Sequence, residues 1–196
     1  MKRSVSLLAS AAAVALTAVM AHASVSVGQS APDFHVKDTN GKEQSLSAYK
    51  GKFVVLEWVN PDCPFVKKHY DSSNMQATQK AAESKGAVWL SVSTNGMSGP
   101  DLNAWVKEKA AAPTATLLDA DGKVGKAYGA RTTPHLYVIN PEGKLVYSGA
   151  IDSKATANQA DIKGATNYVK VALDEAMAGK AVSKATSEPY GCSVKY

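Results

Sequence analysis

Cysteine is scarce in this chain. There are two in 196 residues, Cys63 and Cys192, so only one intramolecular pairing exists and apolar burial has to build the core. At 45% hydrophobic residues, one domain of this length can do so. Long apolar runs are also missing beyond the first two dozen residues, so nothing later is expected to stay in a membrane. Clustered charge is missing too. The lysines are scattered, with Lys67-Lys68 the one adjacent pair after the start of the chain, and no basic stripe points to nucleic acid. Internal repeats and low-complexity stretches are absent after residue 23.

The first 23 residues read as a leader. Lys2-Arg3 is a charged start, Val5 to Met20 an Ala/Leu/Val core, and Ala21-His22-Ala23 a small-x-small cleavage site. This is the pattern of a secretory signal peptide over 1–23, with Ser24 as the mature N-terminus. An uncleaved anchor is the alternative, but the apolar core is short for a span. Removing Lys2 and Arg3 takes the 22 basic residues to 20 against 17 acidic ones, a net charge of +3. The mature chain is therefore expected to be periplasmic or secreted, with a Gram-negative periplasm the best fit. Export places both cysteines in an oxidising compartment.

Residues 53–59 form a short β-branched and aromatic run that stops at Asn60-Pro61 and reads as a buried strand. Cys63 follows at the turn, then Pro64, which suits the first position of a helix. Unpaired N–H groups and the positive end of the helix dipole stabilise an anion there. A thiolate at such a place has a lowered pKa and is the reactive form of the thiol. Lys67 adds a nearby positive charge, and Asn60 either orients the sulfur or makes the turn, the turn being favoured.

Around this unit, Ala31 to Lys42 carries a strand-turn pattern and Ser45 to Lys50 a turn of helix. A helix is expected from Pro64 to about Ser84, a strand over 87–93, a helix around 101–110 and a short strand over 114–119. A short helix near 123–128 precedes Arg131 to Asn140, where Pro134 enters a strand. The last strand runs from Leu145 to Ala150, 151–163 is polar and loop-like, and a helix covers Ala165 to Ala178. Residues 179–196 have no period and fray unless tied down. The expected fold is α/β, a central mixed sheet flanked by helices with an N-terminal β-hairpin and a C-terminal tail. The expected division is a leader over 1–23, a domain over 24–178 and a tail over 179–196 carrying Cys192.

Four stretches together resemble the thioredoxin-like superfamily in its peroxiredoxin-like (redoxin) branch, of the alkyl hydroperoxide reductase/thiol-specific antioxidant type. They are Gly28 to Phe34, Leu46 to Lys52, Asn60-Pro61-Asp62-Cys63-Pro64-Phe65 and Thr132-Thr133-Pro134. The likeness extends from residue 28 through the Pro189-Tyr190-Gly191-Cys192 tail. It implies a thioredoxin-like fold in which the cysteine faces a cis-proline loop, matched by Thr133-Pro134, that shapes a substrate groove. Three positions depart from the pattern. Val66 stands where thioredoxins have a second cysteine. Leu56 and Asn60 stand in the proline and threonine places of the usual peroxidatic motif, and Pro134 lies where a peroxidatic arginine is expected, with Arg131 three residues earlier. Peroxide and protein disulfide both stay open as substrates.

Cys192 is the natural partner of Cys63. About 14 residues from Ala178 reach roughly 46–50 Å when extended, enough to return across a small domain. A bridge closing so long a loop contributes about 4–5 kcal/mol in the chain-entropy model, which suits either a structural staple or a resolving pair. The resolving pair is favoured because it also explains the activating helix start. The expected function is an exported thiol-based oxidoreductase, with Cys63 as nucleophile and Cys192 as resolving partner. An external thiol reductant, a thioredoxin-like protein or a small thiol, would restore it, and no bound cofactor is required. One alternative is a non-catalytic binding module with a structural Cys63–Cys192 disulfide. Another is a copper(I) carrier using Cys63 and His135. His69 lies ~9 Å along the helix axis from Cys63 and reads as a surface histidine. Glu57 reads as an edge residue or a lysine partner more than as a buried proton acceptor, and Trp58, Trp89 and Trp105 read as core.

Overall fold

A computed structural model describes residues 24–196; the leader expected over 1–23 lies outside the described residues. The described chain opens with a hairpin, β1 (His35–Lys37) against β2 (Glu43–Ser45), followed by a 3-10 helix at Leu46–Tyr49. Five strands form the central sheet: β3 (Val54–Trp58), β4 (Val88–Ser93), β5 (Ala115–Leu118), β7 (His135–Ile139) and β8 (Leu145–Gly149). They lie in the order β5-β4-β3-β7-β8, with β3, β4 and β5 parallel and β7 antiparallel to both β3 and β8. The hairpin extends the β5 edge, its Thr39 N–H donating to the Thr116 carbonyl.

Every residue of β3 is buried because the strand is central and covered on both faces. Val55 and Val59 point to one side with Leu136, Val138 and Trp89, beneath α1 (Pro64–Asp71), α2 (Asn74–Glu83) and α5 (Tyr168–Met177). Val54, Leu56 and Trp58 point to the other side with Leu90, Val92, Tyr137 and Ile139, beneath α4 (Lys123–Tyr128) and the N-terminal segment. This is the period-two alternation of a strand. Trp58, Trp89 and Trp105 are all buried, Trp105 arriving from α3 (Gly99–Glu108).

The single helix expected from Pro64 to Ser84 is two helices. Ser73 sits in the left-handed region at φ 59° between α1 and α2. The Ser72 hydroxyl donates back to the Lys68 carbonyl (2.7 Å), and the Gln76 amide caps the Tyr70 carbonyl (2.8 Å). Ser72-Ser73-Asn74 thus offers local hydrogen bonds that compete with the helix ladder. Helix α5 begins at Tyr168 rather than Ala165 because Asn167 caps it, accepting from the Lys170 N–H.

Residues 179–196 are tied down. The Ser187 N–H bonds the Ser148 carbonyl beside β8, and the end of the tail forms β9 (Cys192–Ser193) against β6 (Thr132–Thr133). Among the described residues no helix is long and apolar enough to cross a membrane.

Candidate active site

The site begins where β3 ends. The Asn60 carbonyl accepts from the Cys63 N–H (3.0 Å), while its side-chain oxygen accepts from the Asp62 N–H and the Asn95 amide, both at 3.0 Å. Asn60 therefore makes the turn rather than touching the sulfur. Cys63 is the N-cap of α1, with extended dihedrals, and Pro64 stands in the first turn, where a missing N–H costs nothing. The helix end expected to activate the thiol is in place.

The cysteine is 1% exposed, roofed by two other segments. The Thr133-Pro134 bond is cis, and the Thr133 carbonyl accepts from Cys63 Sγ at 2.9 Å. From the tail, the Cys192 N–H points at the same sulfur at 3.4 Å, and Cys192 pairs with Thr133 in the β6–β9 register. Gly191 passes so close to Thr133 that a Cβ there would overlap its carbonyl group. Cys63, Thr133, Pro134 and Cys192, separated by as many as 129 residues, are brought together.

The two thiols are electrostatically unequal. Burial opposes ionisation of Cys63, but donors from Cys192, from Thr133 and from the Val66 and Cys192 N–H groups outweigh it, leaving Cys63 below the ordinary thiol value. Cys192 is pushed up to about 11 by burial, by its hydrogen bond to Cys63 and by the charge Cys63 carries. The first proton lost from the pair thus leaves a thiolate on Cys63 and a thiol on Cys192.

Other site expectations need correction. Lys67 is exposed and is not among the groups that lower Cys63, since its side chain points away from the buried face of α1. Its neighbour Lys68 is fully buried instead, facing Asp152 at 3.8 Å. His69 is no surface residue. It is completely buried, with Nε2 3.1 Å from the Tyr190 hydroxyl and Nδ1 2.8 Å from the Asn74 amide, and burial lowers it to about 4. Its hydroxyl partner lies 121 residues away, which no local pattern reveals. His135 stacks on Tyr137, on the sheet face opposite Cys63, so the Cys63–His135 pair required for a copper site is not formed. Arg131 reaches Glu188 in the tail, with both side chains exposed.

Glu57 is neither at an edge nor paired with lysine. It is buried in the central strand and accepts from Tyr70, Trp89 and Ser91, with Gln79 at 3.4 Å. Burial raises its carboxyl despite these donors. Sequence reasoning also missed Tyr190. The signal available was its place two residues before Cys192.

Known proteins resemble this chain in sequence and in fold. The sequence model of the AhpC/TSA family matches residues 27–148, which include Cys63, Thr133 and Pro134 but not Cys192. The thiol-disulfide oxidoreductase ResA of Bacillus subtilis is 34% identical over 134 residues, covering 63% of this chain. That match spans 66% of the relative, just under two thirds of its length. Among solved structures, a conserved protein of Geobacillus kaustophilus superposes with a TM-score of 0.74 at 24% identity, covering 87% of this chain and 92% of that one. The thioredoxin domain of a thiol-disulfide oxidoreductase from Bacteroides vulgatus gives 0.56 at 24% identity, covering 72% of this chain and 98% of that domain. The fold is thioredoxin-like.

Proposed function

The chain belongs to the AhpC/TSA family, and on that premise we propose that it is an exported thiol-disulfide oxidoreductase. Cys63 is its nucleophile and Cys192 its resolving thiol. The observation that carries this is the placement of Cys192, whose N–H lies 3.4 Å from the Cys63 sulfur, together with the opposite shifts of the two thiols. The name of the Bacillus subtilis relative supports the same reaction class. A leader over 1–23 supports export to the periplasm or beyond.

In the first step the Cys63 thiolate attacks one sulfur of a substrate disulfide. A Cys63–substrate S–S bond forms, the substrate S–S bond breaks, and the second substrate sulfur leaves as a thiolate that takes up a proton. This step removes the negative charge on Cys63, one of the causes that hold the proton on Cys192. Cys192 therefore ionises more readily once Cys63 has reacted. Its thiolate attacks the Cys63 sulfur, forming Cys63–Cys192 and expelling the remaining substrate thiol. The substrate gains two electrons, the enzyme loses two, and an external thiol reductant, a thioredoxin-like dithiol protein or two equivalents of a small thiol, reverses the loss and is itself oxidised to a disulfide.

Disulfide is preferred to peroxide as the substrate. Leu56 is buried in the sheet, Asn60 is spent on the turn, and Arg131 engages Glu188, so none of the three supplies a peroxide-binding contact at the sulfur. The test is a count of protein thiols, taken after small thiols are removed by gel filtration, on reduced protein treated with one equivalent of glutathione disulfide or of hydrogen peroxide. Two thiols should be lost to glutathione disulfide in the parent, a mixed disulfide should be trapped in Cys192→Ser, and Cys63→Ser should be inert. Thiol loss independent of Cys63 overturns the reading, and faster reaction with peroxide reassigns the substrate. A bridge with a potential below about −300 mV would instead mark a structural staple.

A further inference from the structure

The tail does more than deliver a sulfur. Thr132–Thr133 is a short edge beside Cys63, and the strand paired antiparallel to it is the chain's own Cys192–Ser193. The Val194 N–H adds a bond to the Arg131 carbonyl (3.0 Å) and the Thr133 hydroxyl one to the Cys192 carbonyl (3.4 Å). An incoming polypeptide that is to present a disulfide to Cys63 in extended form needs this same edge. With the tail seated, Cys63 is 1% exposed and the edge is taken.

Two aromatic side chains anchor the tail on either side of Cys192: Tyr196, whose hydroxyl donates to the Ala130 carbonyl (2.6 Å), and Tyr190, which sits in a polar socket beside the nucleophile. The Tyr190 hydroxyl donates to Asp152 Oδ1 (2.5 Å) and lies 3.1 Å from His69 Nε2. Its ring meets Phe65 edge-on at 5.8 Å, and the Lys68 ammonium sits 5.4 Å from the ring centre. Phe65, Lys68 and His69 lie at spacings of three and four on α1, so they share one face of the helix that Cys63 caps. The socket is thus tied rigidly to the nucleophile.

The same socket can survive without its occupant. Lys68 keeps the Lys154 carbonyl (2.8 Å), His69 keeps the Asn74 amide, and Asp152 Oδ1 keeps the Lys154 N–H (2.9 Å) when Tyr190 leaves. Asp152 Oδ2 is already buried without a hydrogen-bond partner, 3.8 Å from Lys68, so water entering an emptied socket would find a waiting acceptor. Lifting the tail therefore costs the Tyr190 contacts, the short ladder and, beyond it, the Tyr196 hydroxyl's bond to the Ala130 carbonyl (2.6 Å), not the wall behind Tyr190.

We propose that the tail strand is a displaceable occupant of the groove through which an extended, cysteine-bearing polypeptide reaches Cys63. Tyr190, in its socket of Phe65, Lys68, His69 and Asp152, is the latch that sets how often the groove opens. Tyr190 is a positioning residue: it acts on the reaction through the strand that carries Cys192. The inference rests on the reading above only in taking Cys63 as the reacting sulfur.

The test uses the full chain in a Cys192→Ser background, which keeps the tail and leaves one thiol. The probe is a peptide of residues 187–196 whose cysteine carries thionitrobenzoate. Attack by Cys63 forms a protein–peptide disulfide and releases the coloured thiolate. Tyr190→Phe removes a hydrogen bond to a carboxylate and should raise the rate by roughly tenfold to a hundredfold, and Tyr190→Ala should raise it further. A free peptide of the same sequence with serine for its cysteine should slow the probe in the Tyr190 variants by refilling the groove, and leave the parent unaffected. General loosening of the fold would not be reversed in this way. Equal rates with Tyr, Phe and Ala at position 190, or acceleration that the serine peptide cannot reverse, overturn the proposal alone. A Cys63 that stays inert in all three sinks the oxidoreductase reading, and this proposal with it.

Discussion

Gly191→Ala is the sharpest single perturbation of the site. Gly191 has φ +138°, where a side chain costs about 1–3 kcal/mol. The added Cβ would lie 2.7 Å from the Thr133 carbonyl carbon and closer still to its oxygen. Carbon atoms pack at about 3.5–4.0 Å, so the tail strand must retreat by roughly 1 Å from a backbone that cannot turn aside. That retreat opens the short β6–β9 ladder, whose hydrogen bonds contribute about 0.5–1.5 kcal/mol each. Together these weaken docking by about 2–5 kcal/mol, at least ~30-fold at 1.4 kcal/mol per tenfold. The assay is reaction with a chromogenic aryl disulfide, followed as two releases of the coloured thiol. The first comes from attack by Cys63 and the second from resolution by Cys192. In Gly191→Ala the second phase should slow by at least about that factor while the first is not slowed. Gly179→Ala, at φ +69° with open space around it, serves as the control and should leave both phases alone. A second phase as fast in Gly191→Ala as in the parent would show that the close pass of the tail over Thr133 does not position Cys192.

Thiolate absorbance should rise in two steps as pH increases, the first below the ordinary thiol value and the second near 11, as macroscopic values of the pair. Cys192→Ser should move the first step because it replaces a donor to the anion, and Cys63→Ser should bring the second down by removing the neighbouring charge. The sign for stability follows from linkage. Cys63 is lowered in the fold, so its contribution is present above its unfolded value and lost as pH falls through the folded one. Cys192 is raised, so its contribution is present below its unfolded value and lost as pH rises through about 11. At Glu57, replacement by Leu strands the Trp89 and Tyr70 donors and should cost about 3 kcal/mol or more in urea unfolding. Gln keeps one acceptor and should cost less. Because burial raises Glu57, its contribution is present below its unfolded value and lost as pH rises through the folded one, and Gln should flatten that slope. Equal stability of the Leu and Gln variants would refute the network's role.

The strands were legible because their side chains carry their own burial pattern. Val54 to Trp58 is largely apolar on both faces and suits a central strand, and Cys63 followed by Pro64 marks a helix start by local chemistry alone. The break at Ser73 was also written locally, in Ser72-Ser73-Asn74, but the helical period on either side concealed it. Lys68, His69 and Glu57 could not be read in this way. A charged or titratable side chain is placed by its partners, and theirs are Asp152, Tyr190 and Trp89, which come from distant parts of the chain.

By itself, then, the sequence determined the sheet-forming segments, the strand-to-helix turn that carries Cys63 and the Thr133-Pro134 loop. Each of these follows from neighbouring residues and the short-range sterics of proline, glycine and β-branched side chains. Only the tertiary structure decided that Cys192 lies against Cys63 and that Tyr190 sits in a socket on α1. It also decided that Lys67 faces outward while Lys68 is buried. The tail has no period of its own to read, and its course is set by the edge of Thr132–Thr133 and by the polar groups of α1 and Asp152 that its tyrosine meets.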